Sequence, residues 1–181
     1  QYYQQSGDAL PRTTIGACRK ADAVFLGARG LPGVRWPDGK EFTPQIDLRE
    51  RLDLYCGLRP IRLYHEADTP LKGRKAGAID LVIVRESTEG LFSGRRVTAG
   101  VGGQEVLDVL RVTRPGAERV CRAAFRLARG RRRRLALVDK ANVLPSMVFF
   151  RSIFDEVARE FSDVETDRVY VDAAALFLVR Q

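Results

Sequence analysis

Arginine is the residue type in this chain best suited to binding acidic ligands. Arg49 lies in Asp47-Leu48-Arg49, Arg59 lies in Leu58-Arg59-Pro60, and Arg85 directly follows the apolar run Leu81-Val82-Ile83-Val84. A planar guanidinium matches a carboxylate through two parallel N–H···O bonds, so several converging arginines make a site for a polycarboxylate. Arg85 is the best placed, because the carboxyl end of a strand in an α/β sheet is the edge where ligands bind. By type and spacing alone the triplet does not stand out. The chain holds 31 lysines and arginines, and solvated or ion-paired arginines are the commoner case. His65 is the only histidine. A zinc site or a Ser-His-Asp hydrolase would have to rest on it alone, between Tyr64 and Glu66 in a polar stretch. Cys18, Cys56 and Cys121 are far apart and include no CxxC pair, which argues against a zinc site or a disulfide framework and fits a reducing cytoplasm.

Alternating strands and helices must position these groups. Residues 21–27 form a short apolar run closed by Gly27, the pattern of a buried strand entering a loop. A loop rich in glycine and proline follows over residues 28–40. Thr43-Pro44 predicts a helix start, with Thr as N-cap and Pro in the first turn, running through Leu48, Leu52 and Leu54. Residues 79–84 read as a second buried-type strand. The glycine cluster Gly100, Gly102 and Gly103 and the alternation over residues 106–112 suggest a hairpin or arm. Residues 115–129 predict a helix with Val120, Ala124 and Leu127 on one face and a Glu118–Arg122 pair at i,i+4. Residues 135–138 read as a third strand. Residues 146–161 read as a second strong helix, with Val148, Ile153, Val157 and Phe161 at helical spacing. Val169-Tyr170-Val171 begins a further strand-like segment, and residues 173–179 suit a helix. The fold class is therefore α/β, with helices layered on a sheet.

At 181 residues the chain is long enough for one domain or parts of two. With 45% hydrophobic and 30% charged residues, it is too apolar for disorder. It has no apolar run of about 18 residues, the length a membrane span needs. The opening residues lack an initiator Met and a signal core, and the last residues stop in an apolar segment, so a piece of a longer protein is expected. The net charge of +8 is densest at Arg131 to Arg134. That run reads as a basic helix end complementing the helix dipole. It carries no interleaved aromatics for stacking on bases, so nucleic acid is not the expected partner.

Several segments together resemble the successive motifs of the isocitrate/isopropylmalate dehydrogenase family. They are Leu48-Arg49 followed by Leu58-Arg59-Pro60; Ile79-Asp80-Leu81-Val82-Ile83-Val84-Arg85-Glu86-Ser87-Thr88-Glu89-Gly90; Val138-Asp139-Lys140-Ala141-Asn142-Val143-Leu144; and Tyr170-Val171-Asp172-Ala173. Their order and approximate spacing agree, and residues 21–30 resemble the family's strand-and-glycine segment before the first arginine. The resemblance implies NAD or NADP as cofactor and Mg²⁺ or Mn²⁺ as metal. The reaction it implies is oxidation and decarboxylation of a 2-hydroxy-3-carboxy acid such as 3-isopropylmalate, isocitrate or tartrate. It also implies a cytoplasmic homodimer with shared active sites. Residues 1–95 would belong to the large α/β domain, and residues 96–181 mainly to the small dimerising domain. Arg49, Arg59 and Arg85 resemble the substrate's carboxylate clamp. Lys140 resembles the lysine that enters the partner's site and helps move the hydroxyl proton. Asn142 resembles the contact to the nicotinamide end of the cofactor, and Asp172 a carboxylate that reaches the metal across the dimer. Gln45 and Ile46, with Phe42 nearby, fall where the family selects the substrate's variable group.

Two positions depart from the pattern. Phe92 stands where the family usually has a catalytic tyrosine, so the final protonation would fall to Lys140, a water or a hydroxyl such as Ser93. Ser87 stands where Asn is commoner. Phe92 leaves open a member that oxidises a hydroxy acid without efficient decarboxylation. A non-catalytic or RNA-binding member of the same fold is the alternative from another class. The later metal-binding aspartates and the adenine loop of the family are not matched in this chain. Purified as 181 residues, it is therefore expected to form no NAD(P)H from any 2-hydroxy diacid, and measurable turnover in a spectrophotometric assay would overturn the expectation of a fragment.

Overall fold

Three helices organise the first of two units, Gln1–Leu54 and Tyr55–Gln181, in a computed structural model that describes residues 2–27, 33–36, 39–95, 99–101 and 105–180. The helices are α1 (Tyr2–Ser6), α2 (Arg12–Lys20) and α3 (Pro44–Arg51). Ile15 of α2 and Ile46 and Leu48 of α3 are buried. Tyr3, Trp36 and Phe42 form an aromatic cluster with ring centroids 4.0 to 5.3 Å apart. Thr43 is the N-cap of α3 and Pro44 lies in its first turn, as expected. The helix ends at Arg51, short of Leu54, because Asp53 takes a left-handed conformation with φ of 52°.

Residues 21–27 do not form the expected strand. They run without hydrogen-bonded partners among the described strands, and Phe25 is 98% exposed. An apolar run becomes a strand only when another strand satisfies its backbone groups. Residues 28–32 and 37–38 of the predicted loop, and Gly102 and Gly103 of the glycine cluster, lie outside the described residues.

The second unit opens with an antiparallel pair, β1 (Cys56–Arg62) and β2 (Asp80–Glu86). Pro60 sits inside β1, which is tolerable because this sheet has only two strands and β1 is an edge. The short helix α4 (Leu91–Gly94) precedes the hairpin of β3 (Ala99–Val101) and β4 (Glu105–Leu107), so the arm reading holds over these residues. Next come α5 (Arg114–Arg129), β5 (Arg134–Asp139), α6 (Pro145–Ala158), a 3₁₀ turn (Arg159–Phe161), β6 (Glu165–Tyr170) and α7 (Val171–Arg180). Strands β5 and β6 are parallel, with α6 as their crossover. The sequence expected a strand to begin near Val169. Instead β6 ends at Tyr170, and Val171 opens α7.

Thr113 explains where α5 begins, since its hydroxyl accepts from Gly116 N at 3.2 Å, a side-chain N-cap. Ala117, Val120, Cys121, Ala124, Phe125 and Ala128 then line one buried face at helical spacing. Against it pack Leu137 of β5 and Ile153, Phe154 and Val157 of α6, with Phe161 and Val164 beyond. Val148, expected on this face, is exposed instead. Phe125 is the centre, with no exposed surface and ring centroids 5.2 Å from Phe154 and 4.9 Å from Phe161.

The predicted Glu118–Arg122 pair does not form. Arg122 instead meets Glu160 through two contacts, one of them 2.8 Å, and Glu118 faces Arg114 at 3.4 Å. A two-point guanidinium–carboxylate contact is stronger than a surface i,i+4 pair. In the full-length protein, Phe125→Ala is expected to cost about 3–5 kcal/mol, the usual range for emptying a phenyl site. Urea titration should show a lower midpoint with an unchanged slope.

Candidate active site

Register brings two of the three arginines together. In the β1–β2 ladder Arg59 stands opposite Ile83, and Gly57 stands opposite Arg85. Alternation along each strand therefore places Arg59 and Arg85 on one face as diagonal neighbours. Val84 points to the other face and packs on the core that α5 and α6 share. The core thus anchors β2 through the face opposite the arginines. Arg49 lies on α3 in the other unit.

The segment after Arg85 folds on its own carboxylates. Glu86 accepts from Thr88 N at 2.7 Å, from Thr88 Oγ1 at 2.6 Å and from Glu89 N. Glu89 in turn accepts from the backbone N of Thr113 at 2.9 Å and from its hydroxyl. This ties the loop to the start of α5. A Cβ at Gly116 would meet the Glu89 carboxylate at 2.5 Å, so a larger residue there would have to move that carboxylate. Arg119 donates to Thr88 Oγ1 at 2.9 Å and covers the Tyr55 ring at 4.4 Å. Ser87 is buried and donates its hydroxyl to Arg85 O at 3.3 Å, a contact that uses the space left by Gly57. Phe92 lies under Arg85, with the guanidinium carbon 5.6 Å from the ring centre. The Ser93 hydroxyl donates to Gly90 O at 2.9 Å.

Lys140 and Asp172 also come together. Lys140 follows the last residue of β5, Asp172 follows β6 by two residues, and the two side chains form an ion pair. Both stand at the carboxyl edge of a parallel strand pair. The hydrogen bond and charge of Lys140 hold the Asp172 carboxyl below its ordinary range, although the side chain is 69% exposed. Asn142 is exposed in the turn between β5 and α6, where Val143 N and Leu144 N both donate to Lys140 O.

Behind Lys140 lies Asp139, whose side chain is fully buried. Arg151 of α6 donates to it from Nε at 2.8 Å and from Nη2 at 2.6 Å, and Ala141 N adds a bond of 3.0 Å. Burial pushes this carboxyl up, but the Arg151 bonds, the Ala141 N–H and the Arg151 charge together hold it below its ordinary range. Sequence reasoning missed Glu86, Glu89, Arg119, Asp139 and Arg151. The two glutamates adjoin a strand-ending arginine, which is a usable signal, whereas nothing local links Asp139 to Arg151.

Other expected features take structural roles or stand apart from these groups. His65 Nδ1 accepts from Ala67 N at 3.1 Å, capping a short 3₁₀ turn. Ile46 is buried within its own unit. Gln45 Oε1 is also buried and has no hydrogen-bond partner among the described residues. Burial pushes the Cys121 thiol up to about 12, so it behaves as a packing group. In the basic run, Arg131 meets Asp80 at 2.6 Å and Arg134 meets Glu165 at 3.2 Å, while Arg132 donates to Asp80 O. No helix among the described residues is long and apolar enough to cross a membrane.

The profile of the isocitrate/isopropylmalate dehydrogenase family matches residues 1–181. The chain belongs to this family. It is 40% identical to the 3-isopropylmalate dehydrogenase of Heyndrickxia coagulans over 97% of its own length and 49% of the relative's. Identity is also 40% to the Thermotoga maritima 3-isopropylmalate dehydrogenase, covering 96% of this chain and 50% of that protein. The crystal structure of isocitrate dehydrogenase from Methylococcus capsulatus superposes with a TM-score of 0.83 at 32% identity, over 99% of this chain and 51% of that one. A β-decarboxylating dehydrogenase from Thermococcus kodakarensis superposes with a TM-score of 0.73 at 36% identity, over 99% and 49%. The chain thus spans about half the length of the curated relatives it matches, and the α/β fold is that of the family.

Because the folded-state pKa of Asp139 is depressed, the stability it contributes is fully present above its unfolded value of about 3.9 and is lost as pH falls through the folded value. Asp139→Asn should therefore be less stable than the parent at pH 7. The gap should narrow below about pH 4, as read by thermal midpoints across an acid series. A gap constant with pH would remove the charge from the account.

Proposed function

We propose that the full-length protein containing this chain oxidises and decarboxylates a 2-hydroxy-3-carboxy acid with NAD or NADP and Mg²⁺ or Mn²⁺. The placement of Arg59 and Arg85 on one face of the β1–β2 ladder carries this reading, together with membership of a family whose named relatives are 3-isopropylmalate and isocitrate dehydrogenases. Arg59 and Arg85 hold the substrate's carboxylates as bidentate partners, a role the resemblance also gives Arg49. Asn142 contacts the nicotinamide end of the cofactor; the resemblance also assigns Gln45 and Ile46 to the substrate's variable group, although Ile46 is buried within its own unit. In this reading residues 1–95 serve the large domain and residues 96–181 mainly the small one, a functional division that differs from the two compact units.

Asp172 offers a hard, exposed oxygen donor suited to a divalent ion. No group of three His, Cys, Asp or Glu side chains that could hold a metal occurs among the described residues. A bound ion would supply Lewis-acid chemistry at the substrate oxygens, and a bound nicotinamide would supply a hydride acceptor. Lys140 moves the substrate's hydroxyl proton. Helix α7 carries Asp172 and has no buried residue, while Leu176, Phe177, Leu178 and Val179 are exposed. The resemblance implies a second copy, with Lys140 and Asp172 serving the partner's site.

Phe92 supports a second reading, oxidation without efficient decarboxylation. Its ring steadies the Arg85 guanidinium but has no proton to give, and the Ser93 hydroxyl is held by Gly90 O. One experiment addresses both readings, following NAD(P)H and CO₂ separately with a panel of hydroxy diacids. Arg85→Lys should lower kcat/KM by about 100-fold, or about 2.7 kcal/mol, with cofactor affinity changed less than about threefold. Equal losses for both ligands would remove Arg85 from the clamp. Phe92→Tyr should raise CO₂ per NAD(P)H if the second reading holds, or speed both signals at a ratio of one if the first does. Slowing of both would make Phe92 a packing residue.

A further inference from the structure

One guanidinium touches the ends of both strands that deliver Lys140 and Asp172. Arg151 grips the Asp139 carboxylate at two points, 2.8 and 2.6 Å. Its guanidinium carbon also lies 5.2 Å from the centre of the Tyr170 ring. Asp139 and Tyr170 are register partners at the last rung of the β5–β6 ladder. Lys140 is the next residue on one strand, and Asp172 lies two residues on from the other. The same Asp139 carboxylate accepts from Ala141 N at 3.0 Å, closing a turn over Lys140. The Lys140 carbonyl is fixed from the other side by Val143 N at 3.1 Å and Leu144 N at 3.0 Å. The Lys140 backbone therefore has little freedom, and that restriction leads back to a residue on α6.

We propose that Arg151, acting through Asp139 and Tyr170, is the positioning residue that presents the Lys140 ammonium and the Asp172 carboxylate side by side. It touches no ligand in this role, and the proposal rests on the reading of Lys140 as the proton-moving group. A fork closed on Asp139, with the same guanidinium against the Tyr170 ring, fixes orientation as well as charge, which an ammonium on a flexible stem does not. A loss of about 1 Å in placement at a reacting group is worth roughly 100-fold in rate.

The test uses the full-length protein. Arg151→Lys should lower kcat by about 10- to 100-fold while KM for substrate changes less than about threefold. Arg151→Met strands the buried Asp139 charge and can fail to fold, so the double variant Asp139→Asn/Arg151→Met, which removes both charges, is measured beside it. That double variant should fold and show the same kcat loss. Placing Arg151→Lys in a Lys140→Ala background should cause a smaller further loss than in the parent, because one of the two residues being positioned is already absent. Variants that fold and keep kcat per folded molecule, or losses that multiply independently with Lys140→Ala, would reduce Arg151 to a structural residue. A fully active Lys140→Ala would instead overturn the reading of Lys140, and the positioning role with it.

Discussion

The packing of Phe125 against Phe154 and Phe161 is the contact on which the second unit depends. It joins α5, α6 and the turn after α6 at one fully buried ring. Two of the elements that carry candidate groups, β2 and β5, are fixed there. Val84 packs on the same cluster, which puts Arg85 on the opposite face of β2, against Phe92. Leu137 does the same for β5 and so for Lys140 at its end. Apolar burial supplies the stability, and the polar residues need only be correct in orientation.

Orientation comes from a second layer of charged contacts. The turn after Arg85 is closed by Glu86, and Glu89 joins it to the cap of α5. The turn after Asp139 is closed by the Asp139 carboxylate and clamped by Arg151. In both places a buried or half-buried carboxylate accepts backbone N–H groups beside a strand-end cation. Such a carboxylate would be costly without its donors. On the outer side, Arg114–Glu156, Arg122–Glu160 and Arg129–Asp163 link α5 to α6 and the segment after it. These exposed pairs are individually weak.

Local physics made much of this legible in the sequence. Thr113 and Pro115 announce the start of α5, and its apolar residues keep helical spacing, so its burial could be read directly. Strand β5 and helix α7 were likewise readable. Residues 21–27 were misread because an apolar run states a preference for burial but not whether a strand stands beside it. Strand β1 was missed because Pro60 argues against a strand unless the strand is an edge. Arg59 and Arg85 could be named from the sequence, but their common face depends on register. Arg122 was assigned to Glu118 from helix geometry, whereas Glu160, distant in sequence, offers the better fork. Asp139 and Arg151 show the same limit, since their partnership exists only after α6 has folded back on β5.

Gly116 carries a consequence for anyone seeking a more heat-resistant version of this protein. Replacing glycines inside helices with alanine is a standard route to thermostability, worth up to about 1 kcal/mol from chain entropy and helix propensity. The backbone at Gly116 is ordinary helix, so it would pass any screen based on dihedral angles. The obstacle is volume. An added methyl would occupy the place of the Glu89 carboxylate and displace it from both Thr113 groups it holds. Alanine there would improve the helix while loosening the loop that follows Arg85, gaining rigidity in the scaffold at the expense of order beside the arginine face.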